Sequence, residues 1–164
     1  MSFDPRGYAL AEGDGEPWWF LDSRMTLKAT GEQTQGAFTL LEWHAPVGFG
    51  PPRHVHRRED EAFYVLDGEM RVECDGRTWE LGPGGFVFLP RGLEHCFVIT
   101  SGPVRGLQVT APAQFEQYVR RVGRTPDDEG LPMPTPPDVP ALIAAAEDLA
   151  IDIVGPPMGL DVPA

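Results

Sequence analysis

Three of the four histidines in this chain fall within two short segments, Gly48-Phe-Gly-Pro-Pro-Arg-His54-Val-His56-Arg-Arg-Glu-Asp-Glu61 and Gly84-Gly-Phe-Val-Phe-Leu-Pro90-Arg-Gly92-Leu-Glu-His95. Imidazole nitrogens joined by a carboxylate make a donor set suited to a divalent transition metal and poorly suited to a thiolate cluster. One ion of Fe, Mn, Ni, Cu or Zn fits such a set, and the residue types do not choose among them. The expected metal ligands are His54, His56, Glu61 and His95.

Strand geometry is what would bring them together. Successive side chains on a strand alternate faces, so His54 and His56 project from the same side and Val55 points away. Glu61 opens the apolar run Ala62-Phe-Tyr-Val-Leu66, which puts Phe63 and Val65 on its own face. His95 opens Cys96-Phe-Val-Ile99, with Phe97 on the histidine side. Phe63 and Phe97 are therefore the expected pocket residues. Glu59 competes with Glu61 for the carboxylate role but is expected to be solvated or paired with Arg57 or Arg58. His44, at the end of an apolar run, is expected to be structural, and the four tryptophans to be core or interface residues.

These two segments resemble the paired motifs of the cupin superfamily. The first pattern, G-x5-H-x-H-x4-E-x6-G, is met at Gly48, His54, His56, Glu61 and Gly68, and the second, G-x5-P-x-G-x2-H, at Gly84, Pro90, Gly92 and His95. The chain departs at Ile99, where the second motif commonly continues with Asn. That Asn is not a ligand, so the departure touches strand-end hydrogen bonding rather than metal binding. The resemblance spans roughly residues 17 to 112. It implies an all-β fold, a double-stranded β-helix or jelly roll, with one metal held by the four residues above.

The resemblance further implies a quercetin-dioxygenase-like enzyme in a single-domain cupin. Such an enzyme acts on a small aromatic or enolisable hydroxy-ketone chelated to the metal, with O2 as co-substrate and Glu61 as catalytic proton shuttle. Two alternatives share every ligand: an isomerase, lyase or cyclase that uses the metal as a Lewis acid, and a non-catalytic small-molecule binder. Single-barrel cupins commonly pair, so a homodimer is expected, with the aromatic N-terminal segment as an edge.

Composition sets the frame around the site. A length of 164 residues suits one domain with a real core, and one pair of motifs argues against a duplicated barrel. A net charge of −12 disfavours phosphate backbones and anionic headgroups, so neither nucleic acid nor membrane is an expected partner. No apolar run approaches a bilayer span and the first residues carry no secretory pattern, so a cytoplasmic location is expected. Cys74 and Cys96 lack a CxxC spacing and are expected to pack as small hydrophobes.

Along the chain, residues 1–16 are expected to form a flexible arm. Short strand-like runs then alternate with Gly, Pro and Asp punctuation through residue 112. Asp67-Gly68 and Asp75-Gly76 both predict tight hairpins. Residues 113–164 are expected to form a helical extension. Phe115, Tyr118, Val119 and Val122 recur at helical spacing before Gly123, and a Pro-rich connection follows. A second helix is predicted from an Asp138 N-cap, with Leu142, Ala146, Leu149 and Ile153 on one side. The two helices are expected to cover a barrel face or to gate the metal cavity.

Overall fold

A computed structural model describes residues 7–160. Its strands are β1 (Glu16–Phe20), β2 (Ser23–Ala29), β3 (Thr39–Ala45), β4 (Pro52–His56), β5 (Asp60–Cys74), β6 (Arg77–Leu81), β7 (Phe86–Leu89), β8 (His95–Ala111) and β9 (Ile151–Pro157). The helices are α1 (Gly31–Thr34), α2 (Phe115–Val122) and α3 (Val139–Ala146). Among the described residues no helix is long and apolar enough to cross a membrane.

All pairings between named strands are antiparallel, and the nine strands form one curled sheet, the jelly roll that the motifs imply. The curl runs through two long strands. The later part of β8, Val104 to Thr110, pairs with β3, and much of it pairs with the first half of β5 on its other side. The early part of β8 pairs with the second half of β5 and, at His95, with His54 of β4. Strict alternation fills the concave side. Leu41, Trp43 and Ala45 of β3 and Phe63 and Val65 of β5 are all essentially inaccessible. Burying a side chain such as Phe63 contributes about 2 kcal/mol or more. Trp43, Phe63 and Phe97 form a triangle with centroid separations of 5.3 to 5.6 Å, within the favourable range for aromatic contacts.

One of the two predicted hairpins is present. Asp75 and Gly76 both have positive φ, 50° and 73°, and join β5 to β6. Asp67-Gly68 is instead a bend inside β5, which stays paired with β8 on both sides of it while the register shifts. Gly68 has φ 77°, and a Cβ there would lie 2.7 Å from Val104 Cα, so only glycine lets the two strands close at this bulge.

The first predicted helix is α2, with Phe115, Tyr118 and Val119 buried and Phe20 packed edge-on to both rings. Asp138 caps α3 by accepting from Ala141 N at 3.1 Å. The predicted extension of this second helix to Ile153 is corrected. After Ala146 a 3-10 turn carries Leu149, Ala150 takes φ 54°, and Ile153 lies in β9, hydrogen-bonded beside β4. The extension is thus helical first and then returns a strand to the barrel. Of the predicted N-terminal arm, residues 1–6 lie outside the described residues. Residues that follow lie along β2, where Tyr8 Oη donates to Lys28 O at 2.6 Å.

Candidate metal centre

The four predicted ligands come together. One potential donor atom from each of His54, His56, Glu61 and His95 lies within 4.8 Å of the others. His54 and His56 share a face of β4, which β9 holds from one edge through His54–Ile153 and His56–Ile151 pairing. Glu61 stands on β5 between Leu89 of β7 and Thr110 of β8. His95 opens β8 directly opposite His54. The turn before it is pinned twice: Gly92 N donates to His56 O at 2.8 Å, and Arg91 grips Asp60 at 2.7 and 3.0 Å.

The outer ring nitrogen of each of the three clustered histidines is engaged. Nδ1 of His54 lies 2.7 Å from Pro52 O, Nδ1 of His95 3.0 Å from Leu93 O, and Nδ1 of His56 3.0 Å from Glu59 Oε2. Donation to these acceptors fixes the tautomer and leaves each Nε2 as the free base. Nε2 of His56 and of His95 are both buried without a hydrogen-bond partner. Two orphaned imidazole lone pairs converging with a carboxylate are what a divalent cation satisfies, so the donor set fits a metal.

At His54 and Glu61 the electrostatics agree with that fit. Burial, reinforced by His95 and His56, pushes His54 down to about 3. At Glu61 burial opposes ionisation, but the positive charge of protonated His56 and the close approach of His95 outweigh it and hold the carboxyl at about 2. At His56 burial works against the imidazolium, while Glu61 and Glu59 outweigh it and raise the pKa. A neutral His54 and an ionised Glu61 are the forms that coordinate.

The cavity beside the cluster measures about 50 Å³ and is lined mostly by apolar side chains. Phe63 and Phe97 both reach it, as do Phe115 and Tyr118 of α2, Leu142 of α3 and Ile153 of β9. Among the described residues no lysine or arginine lines it. The C-terminal segment is therefore a wall of the cavity and not merely a cover on the far side of the barrel.

Two contributors escaped the sequence reading. Gln108 on β8 donates from Nε2 to Glu61 Oε1 at 2.5 Å. Its position opposite Phe63 across the β5–β8 ladder becomes visible only with the register. Glu59, expected in solvent or beside Arg57 or Arg58, is 1% exposed and turned onto His56, while Arg57 pairs with Asp152. His44 is half-buried and outside the cluster, and Trp43 is core, as expected. Cys74 and Cys96 are free and buried. Ile99, in place of the common Asn, is buried, and its backbone pairs with the Gly48–Phe49 loop through N–H to Phe49 O and O to Gly48 N, each 2.9 Å.

The family model of the cupin domain matches residues 41–110. Quercetin 2,3-dioxygenase of Bacillus subtilis (strain 168) is 29% identical over 116 residues, covering 71% of this chain and 34% of that protein. The enzyme of the same name from Aspergillus japonicus is 27% identical over 106 residues, covering 60% and 30%. The chain thus spans about a third of the length of these relatives. Among solved structures, the polyketide cyclase RemF from Streptomyces resistomycificus superposes with a TM-score of 0.56 at 26% identity, covering 66% of this chain and 81% of that one. Paired motifs, a curled antiparallel sheet and these matches agree on a cupin domain over residues 41–110, with quercetin dioxygenases similar to the chain in sequence.

Proposed function

We propose that this protein is a metal-dependent dioxygenase acting on a small aromatic or enolisable hydroxy-ketone, using one divalent transition metal and O2. The observation that carries this reading is a three-histidine, one-glutamate cluster at an apolar cavity without a lysine or arginine in its wall. A wall without cationic side chains offers no counter-charge to a phosphate or to a substrate's own carboxylate, whereas its rings suit an uncharged aromatic body. When bound, the metal would supply Lewis acidity toward an enolic oxygen.

The remaining work falls to the chain's own residues. In this reading Glu61, held at Oε1 by Gln108, takes the proton of the substrate hydroxyl. Phe63 and Phe97 orient the ring system, and Phe115, Tyr118 and Leu142 keep bulk water from the reacting atoms. A cavity of about 50 Å³ admits only a few waters, so a flavonol-sized substrate requires the α2–α3 wall to move outward.

The similarity to a polyketide cyclase supports a second reading, in which the same residues and metal catalyse isomerisation, elimination or cyclisation without O2. Oxygen consumption during turnover of a candidate hydroxy-ketone decides between them. One O2 consumed per product supports the dioxygenase, and product formed at an unchanged rate under argon supports the second reading. A ligand that raises the melting temperature but is never turned over would make the protein a binding module instead.

A further inference from the structure

Glu59 lies between the ligand histidines and Glu61 in sequence, yet it is one of the most buried side chains of the molecule at 1% exposure. Ionised carboxylates are almost never fully buried without a compensating charge. Among the described residues no lysine or arginine forms an ion pair with it, and its neighbours Arg57 and Arg58 are both exposed. Oε2 lies 3.0 Å from His56 Nδ1, and Oε1 is buried with no hydrogen-bond partner. A lone acid in this setting is costly unless a cation sits nearby.

The three ligand imidazoles are not equivalent. His54 and His95 donate from Nδ1 to the neutral carbonyls of Pro52 and Leu93, while His56 alone faces a carboxylate. A charge-assisted hydrogen bond is roughly twice as strong as a neutral one, and an anionic acceptor makes the opposite ring nitrogen a better donor to a metal.

We propose that Glu59 is a positioning residue of the metal centre. Through its hydrogen bond to His56 Nδ1 it fixes the orientation and tautomer of that ring, and it makes His56 the strongest of the three imidazole ligands. This rests on the metal reading above and extends it to a residue outside the four ligands.

The test uses the full chain, stripped of metal and reloaded with zinc. Chelator competition should show Glu59→Gln, which keeps an acceptor but removes the charge, binding zinc 10- to 100-fold more weakly, the range for loss of such outer partners. Nuclear magnetic resonance of the zinc-loaded wild type, which needs no variant to fold, should show one ligand imidazole N–H far downfield of the other two. That signal should vanish in His56→Ala and move upfield in Glu59→Gln. Zinc affinity within twofold of wild type in a folded Glu59→Gln, or three wild-type N–H signals grouped together, overturns the proposal while leaving the metal reading intact. A wild type that takes up no zinc, manganese, iron, nickel or copper overturns both.

Discussion

Gln108 Nε2 lies 2.5 Å from Glu61 Oε1, both side chains buried, so an amide on β8 fixes the orientation of the carboxylate on β5. The bond leaves Oε2, 3.1 Å from His95 Nε2, turned toward the histidines. Replacing Gln108 with Leu removes what is, among the described residues, the only side-chain donor to Oε1 outside the cluster. Metal affinity is expected to fall about 10-fold or more, and turnover of any substrate to fall with it, because the carboxylate is then free to rotate. Chelator competition and steady-state kinetics on Gln108→Leu measure the two effects.

The C-terminal strand is part of the site. β9 holds β4 in register at both ligand histidines, and Ile151 and Ile153 line the cavity. A chain ending at Ala150 should lose most of its metal and should unfold at lower denaturant concentration than the full chain, since β4 then has an unpaired edge. Metal analysis and urea unfolding of that truncation check this. Full metal retention would reduce β9 to a peripheral strand.

Tyr118 gives the α2–α3 wall an alkaline limit. Burial raises its hydroxyl to about 12, above its ordinary value of 10.0, and the hydroxyl donates to Leu142 O at 3.3 Å. A group whose folded pKa is raised contributes stability that is complete below the unfolded value and is lost as pH climbs toward the folded one. Between pH 10 and 12 the wild type should therefore lose on the order of 2 kcal/mol that Tyr118→Phe does not lose. Urea titrations of both proteins at pH 9, 10 and 11 give the difference, and parallel curves would refute it.

The metal cluster was legible in sequence because it depends on local order. A two-residue spacing fixes the shared face of His54 and His56 in any strand, and Asp75-Gly76 carries the positive φ angles of its turn wherever it stands. What the sequence hid was long-range. Asp67-Gly68 has the same local preferences as Asp75-Gly76, and only the continuous partner β8 turns it into a bulge. Ile153 follows Leu149 at helical spacing, but it also alternates with Asp152 and Val154, and the open edge of β4 favours the strand. Gln108 and Glu59 reach the site through cross-strand register and burial, which no spacing rule encodes.

His54, His56, Glu61 and His95 are expected to hold one metal ion. Elemental mass spectrometry on protein purified without an affinity tag, for wild type and for His54→Ala/His56→Ala, tests it most directly. About one transition-metal ion per wild-type chain and almost none in the double variant are expected. Two equally metal-free proteins, even after iron, manganese, nickel, copper and zinc have been supplied, would contradict it.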